Sequence, residues 1–277
     1  MSAQRLAETA TEIHPAADRH NHSTGRLDQV LARFTAIALQ DMEDVALLDR
    51  TDTKLLLTQD QLNTALHHLA QAYRVLEIEG QRQHHYQTLY FDTVDLDYYH
   101  QHHNGKRNRY KVRERAYVDS GLTFVEVKHK TRHDRTIKHR HPVRELTTEF
   151  DPHAVVFIQT HAPFGEEVLA PTLWNSFQRI TLVSTRRVER VTLDVNLCLR
   201  WNSAWVTLPG VAIAEVKQTR FSYDSDFLRE MRHLGVRPTN FSKYCTGISM
   251  LYPHVKHNAF KPRMLHLKRI MRADQRI

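Results

Sequence analysis

The chain has 277 residues, 41% hydrophobic and 25% charged, enough to bury a sizeable core as one large domain or two small ones. Its formal net charge of +8 favours a polyanionic partner, whether nucleic acid, anionic lipid or a phosphorylated small molecule. No apolar run approaches bilayer length, the N-terminus lacks signal-peptide order, and Cys198 and Cys245 make no metal or redox spacing, so a cytoplasmic protein without disulfides is expected.

Residues 1–26, rich in Ala, Thr, His and Asp, read as a flexible leader. An apolar stripe from Leu27 through Val30, Leu31, Phe34 and Ile37 predicts a helix over 27–39. A short strand follows over roughly 45–57. Thr58 then caps a helix carrying Leu62, Ala65, Leu66 and Leu69. From Tyr73 the period shortens, giving strands over 73–80 and 85–91. A turn and short helix over 92–103 end at Asn104-Gly105. Three strands come next, over 108–118, 122–130 and 136–143, the first two joined by a hairpin turn at Asp119-Ser120-Gly121. Helical segments are expected over 152–160 and 171–175, and strands over 178–183, 189–198 and 211–217. Two more helices are expected over 224–234 and 243–251, and residues 256–277 form a basic tail. Glycine is scarce, with 8 in all, and no Gly-rich phosphate loop is present. Many strands, short turns and inserted helices predict an α+β fold on an antiparallel sheet or barrel.

The chemistry concentrates in the three central strands. Alternate strand residues share a face, so Arg109, Lys111, Arg113 and Arg115 point one way, and Tyr110, Val112, Glu114 and Ala116 the other. A row of like charges in a closed interior is costly unless an anion sits among them, and guanidinium groups suit phosphate oxygens. On the next strand Phe124, Glu126, Lys128 and Lys130 share a face, and after the turn Lys138 and Arg140 do. Much later Glu215 and Lys217 repeat the Glu-x-Lys spacing of Glu126 and Lys128. One carboxylate among cations suits a hard divalent ion bridging to phosphate. The competing reading is a solvated basic face on an antiparallel sheet.

These residues resemble the VTC domain, a polyphosphate polymerase domain of the triphosphate tunnel metalloenzyme (CYTH-like) superfamily. The likeness runs from about Asp49 to Leu251. Its pieces are Arg50-Thr-Asp-Thr-Lys54, Leu89-Tyr-Phe-Asp-Thr93 with Tyr99 and His102 behind it, Arg113-Glu-Arg-Ala-Tyr117, Phe124-Val-Glu-Val-Lys128, Thr136-Ile-Lys-His-Arg140, Phe177-Gln-Arg179, Glu189-Arg-Val-Thr-Leu-Asp194, Ala214-Glu-Val-Lys217 and Phe241-Ser-Lys-Tyr244. The resemblance implies an antiparallel eight-stranded tunnel-like β-barrel with flanking helices over residues 27–255. It implies that Lys54, Arg113, Arg115, Lys128, Arg179 and Lys243 act on phosphates from the tunnel wall. Arg50, Lys111, Lys130, Lys138, Arg140 and Lys217 would bind the substrate chain, and Glu215, with Glu126, would hold Mn²⁺ or Mg²⁺. Related polymerases move the γ-phosphate of ATP onto inorganic polyphosphate. Many tunnel enzymes open with Glu-x-Glu-x-Lys, whereas the matching positions here read Arg50, Asp52 and Lys54, which shifts the reading from triphosphatase toward the VTC branch.

Three functions stay open: polyphosphate synthesis, hydrolysis of tripolyphosphate or a nucleoside triphosphate, and non-catalytic binding of polyphosphate or nucleic acid. The glutamates among the cations favour metal-dependent chemistry over simple binding. The histidine clusters (His84-His85, His100 to His103, His129 to His141) read as solvated turn residues, since no Cys accompanies them. Trp174, Trp201 and Trp205 read as packing. Asp194 either faces the tunnel or pairs with a neighbouring Arg, and the basic tail around Lys261–Arg272 reads as a solvated or docking helix.

Overall fold

The computed structural model describes residues 20–45, 51–133, 135–162 and 168–274. Most of the expected leader and Arg50 lie outside the described residues. Helix α1 (His20–Leu31) leads into β1 (Thr35–Ile37), a 3-10 turn (Gln40–Val45), β2 (Thr51–Thr58), α2 (Gln59–Leu69), β3 (Tyr73–Leu76) and β4 (His84–Asp92). Then come α3 (Asp97–His103), β5 (Arg109–Tyr117), β6 (Leu122–Lys130), β7 (Thr136–Val143) and α4 (Pro152–His161). The chain finishes with β8 (Ala170–Ser184), β9 (Glu189–Trp201), β10 (Ala204–Thr207), β11 (Val211–Gln218), α5 (Asp226–His233), α6 (Lys243–Leu251) and α7 (Lys261–Asp274).

Local chemistry explains the elements that match expectation. At the start of α2 the Thr58 side chain accepts from the Gln61 backbone N–H while the Gln61 side chain accepts from Thr58, a reciprocal capping box. Ser242 caps α6 by accepting from the Cys245 N–H at 3.2 Å. Strands β6 and β7 and helix α6 run over the predicted residues. The first helix begins at His20, inside the expected leader of residues 1–26, and two further local expectations fail. The first helix stops at Leu31, because the β-branched Thr35 and Ile37 flank a strand paired in parallel with β3; Ile37 is buried beside Met42, Leu76 and Val183 while Leu39 is exposed. The helix expected over 171–175 is the start of β8. There Pro171 sits beside the register shift between Tyr90 and Phe91 of β4, where its missing N–H is tolerated.

The strands form one 11-stranded sheet whose main path, β2-β11-β9-β8-β4-β5-β6-β7, is antiparallel throughout. The expected barrel does not close. Among the described residues, strand β2 pairs with β11 alone and β7 with β6 alone. The sheet curls far enough for Asp52–Lys54 of β2 and Thr136 of β7 to line one cavity, and that cavity separates the strands that a barrel would join.

Leu55, Leu57, Leu182, Leu193 and Val216 turn from the cavity and pack beneath α1, α2 and α5. Val112, Val125 and Val127 do the same beneath α4, with Ala154 and Ile158. Full burial of each such side chain contributes about 1.5–3 kcal/mol. On the concave face a third cluster joins Leu56, Tyr90, Phe177 and Ile213 to Tyr244 and Ile248 of α6 and to Leu267 and Ile270 of α7. Helix α6 can approach because Gly247 has no side chain: a Cβ there would lie 2.4 Å from Leu173 Cδ2. Asp92 ties this face together. It accepts from the backbone N–H groups of Thr93, Tyr98 and Tyr99 and from the Tyr244 hydroxyl, linking α3 to α6.

Candidate functional site

The strand alternation read from the sequence holds. Strand β5 sets Arg109 opposite Lys130, Lys111 opposite Lys128 and Arg113 opposite Glu126, while β7 sets Lys138 opposite Lys128 and Arg140 opposite Glu126. These residues therefore share one sheet face. On the far side of the curl Glu215 of β11 lies opposite Lys54 of β2, and Arg179 of β8 opposite Asp194 of β9.

Three carboxylates, the buried Glu126 and Asp194 and the half-buried Glu215, hold part of this charge. Glu126, 1% exposed, takes Arg113 Nε at 2.7 Å and pairs with Lys138. Asp194 takes Arg179 in a two-pronged contact, Nε at 2.6 Å and Nη2 at 2.8 Å, and pairs with Lys243 of α6. Glu215 pairs with Lys217, and its other oxygen lies 3.9 Å from Lys54 Nζ. Burial would raise all three carboxyls, but the adjoining cations override it and hold each below the usual carboxylate range. An aromatic shelf supports the same cations: Arg179 lies 4.9 Å from the Tyr86 ring centre and Lys243 4.1 Å from that of Phe177.

Beside these pairs opens a cavity of about 630 Å³ lined by Lys54, Arg109, Lys111, Lys128, Lys130 and Arg263, with Asp52 as the carboxylate among them. Lys54 donates to the Phe241 carbonyl at 2.9 Å and Lys111 to Ser242 Oγ at 3.0 Å, contacts with neutral oxygens, and Lys54 has in addition the Glu215 carboxylate 3.9 Å away. Burial, then the neighbouring Lys54 and Lys111, brings Lys128 down to about 7. Burial also lowers Lys138 and Lys243 to about 8. Burial raises Tyr90, but Arg113, Arg115, Lys111 and Lys243 outweigh it and bring the phenol to about 8. Such a surface is electrostatically incomplete and favours an anion of several charges.

The structure thus gathers Lys54, Lys111, Lys128 and Lys130 at the cavity and sets Arg113, Arg115, Arg179, Lys138, Lys217 and Lys243 behind or beside it, most of them on carboxylates. Arg115 instead reaches Thr88 Oγ1 at 3.2 Å. Arg140 is exposed and lies over Phe124 at 5.0 Å. Of the two readings of Asp194, pairing with Arg179 is the one formed. Sequence reasoning missed Arg263, which reaches the cavity from the tail read as a solvated or docking helix, and gave His102 no role of its own. The i, i+3 spacing of Leu267 and Ile270, both buried, was the available sign that α7 packs.

Among the described residues, no group of three or more His, Cys, Asp or Glu side chains could hold a metal ion. A cage built wholly from protein is therefore missing among them. Glu215 still offers a hard, deprotonated oxygen, which fits a cation that draws its remaining ligands from phosphate and water.

The family model of the VTC domain matches residues 49–252. The chain belongs to the VTC domain family. No curated protein matches it. Among solved structures, this VTC domain is similar to HpAC1 from Hippeastrum, a putative adenylyl cyclase described as having a dominant triphosphatase activity. That likeness has 15% identity and a TM-score of 0.47 and covers 74% of this chain and 98% of that one. It is also similar to PH1819 from Pyrococcus horikoshii OT3, at 12% identity and a TM-score of 0.42 over 72% of this chain and 96% of that one. No helix among the described residues is long and apolar enough to cross a membrane.

Proposed function

We propose that this VTC domain is a phosphoryl-transfer enzyme that moves the γ-phosphate of ATP onto inorganic polyphosphate. The observation that carries this reading is the cavity whose wall presents Lys54, Lys111, Lys128 and Arg263 with little carboxylate to neutralise them. Phosphoryl transfer needs positioning and charge neutralisation more than covalent help from the protein. Lys54, Lys111 and Lys128 take the phosphate oxygens. Arg113 and Arg179, each pinned by a carboxylate, are pre-oriented to do the same without searching rotamers. Glu126 and Asp194 act as counter-ions that keep these cations charged and ordered. Glu215 would hold Mg²⁺ or Mn²⁺ together with substrate oxygens, and the ion would neutralise charge building on the bridging oxygen.

The test is purified protein with ATP and either metal, followed for polymer and for free phosphate. Polymer supports synthesis. Phosphate without polymer assigns water as the acceptor on the same site. Neither product from folded protein overturns the phosphoryl-transfer reading.

A further inference from the structure

Helix α3 brings an imidazole to the wall of the cationic cavity. His102 lines the cavity together with Arg109, Lys111 and Lys128. One ring nitrogen is fixed by a hydrogen bond with the Tyr110 backbone, while the buried Nε2 has no partner. Buried polar atoms are ordinarily satisfied, so an orphan in a ligand cavity calls for an explanation. The charged groups facing the ring are Lys111 and Arg109 of β5 and Lys128 of β6, and Arg263 of α7 lines the same space. Lysine and arginine offer only donors, so His102 is a neutral acceptor set among them.

A fully ionised phosphoryl oxygen gives such an acceptor nothing to bind. A water molecule does, and so does the P–OH of a chain-terminal phosphate. Both are the species from which a proton must leave when they attack phosphorus. We propose that His102 is the proton acceptor of the reaction, its Nε2 taking the proton of the attacking hydroxyl or water. This inference rests on the phosphoryl-transfer reading above. In the step, the acceptor oxygen forms a bond to the γ-phosphorus. The bond from that phosphorus to the bridging oxygen breaks with its electron pair on the departing diphosphate. The acceptor's proton passes to Nε2.

The same surroundings explain how the base is poised. Burial, then Lys111 and Arg109, push His102 well below the ordinary histidine value in the free protein. A bound polyphosphate offsets those cations and returns the imidazole toward about 6.5, the range in which a base works best near neutral pH.

Two measurements decide it. In steady-state assays, kcat of the native protein should fall below about pH 6.5, where a base in the bound complex is protonated. H102Q should lose about 10²–10⁴-fold in kcat, keep KM within about threefold and lack the acid limb. In NMR spectra, the imidazole signal absent from H102Q should stay neutral in free protein from pH 5 to 8. It should titrate once tripolyphosphate saturates the cavity. H102Q with native kcat and an unchanged acid limb overturns the proposal while leaving phosphoryl transfer intact. So does an imidazole that stays neutral with tripolyphosphate bound. If H102Q and H102N both fail to fold, the native pH profile decides: a kcat without an acid limb overturns the base role. Folded native protein that binds tripolyphosphate yet turns over nothing overturns phosphoryl transfer and the base role together.

Discussion

Asp194→Asn removes one negative charge from beneath two cations and tests whether the buried pairs carry the wall of the site. Asp194 is 3% exposed, receives both prongs of Arg179 at 2.6 and 2.8 Å and also holds Lys243. An amide can accept from one of these but cannot neutralise either. Breaking a buried ion pair by removing one partner costs about 3–5 kcal/mol. In a chain of this size each kcal/mol moves the melting point by about 2–4 °C, so the variant should unfold about 6–20 °C below the native protein. Thermal unfolding followed by circular dichroism at pH 7 measures it. Asp194 titrates below the usual carboxylate range. Its contribution is therefore complete above about pH 3.9, the unfolded value, and is lost only as pH falls through the lower folded value; pH 7 lies safely above that window. A second arm separates charge from packing. Tripolyphosphate at 100 times the native protein's dissociation constant raises native stability by about 2.7 kcal/mol; at that same concentration the variant, whose unpaired Arg179 and Lys243 bind the anion more tightly, gains more. The ligand-induced rise in melting point should be larger for Asp194→Asn than for the native chain. A variant melting within about 2 °C of native, or showing the smaller ligand-induced rise, would refute the reasoning.

Lys128→Met should weaken tripolyphosphate binding about 10-fold to 150-fold, the equivalent of about 1.5–3 kcal/mol for a charge-assisted contact, as read by calorimetry. Binding by the native protein should weaken as pH rises through about 7 and again near 8, as Lys128 and then Lys138 and Lys243 lose their protons; flat affinity from pH 6 to 9 contradicts the assignment. Glu114, fully buried on the opposite face with Thr147 N–H donating at 2.7 Å, is pushed by burial from 4.5 up to about 7. The folded state then binds the proton more tightly than the unfolded one, so stability should fall as pH climbs from 4.5 to 7, and Glu114→Gln should flatten that slope in urea titrations. Gly247→Ala drives a methyl to 2.4 Å from the buried Leu173. It should cost about 1–2 kcal/mol net of its gain in helix propensity and should weaken tripolyphosphate binding as α6 shifts Ser242 away from Lys111.

Much of the site was written in periods of two. The alternation of Arg109, Lys111, Arg113 and Arg115 needs only an extended backbone to place four cations on one face, because pleat geometry is local. The Thr58 cap and the strands over 122–130 and 136–143 were legible for the same reason: the signal and the structure lie within a few residues. The start of β8 was not. Pro171 carries a helix-start signal locally, and only pairing with β4, some eighty residues earlier in the chain, makes it a strand. Long-range pairing likewise decided that the sheet stays open between β2 and β7, that Asp194 belongs to Arg179 and Lys243, and that Arg263 and His102 reach one cavity. Sequence alone determined which residues carry charge and which strand face they share. The curl of the sheet, set by distant packing, determined which of those charges meet a carboxylate and which line the cavity.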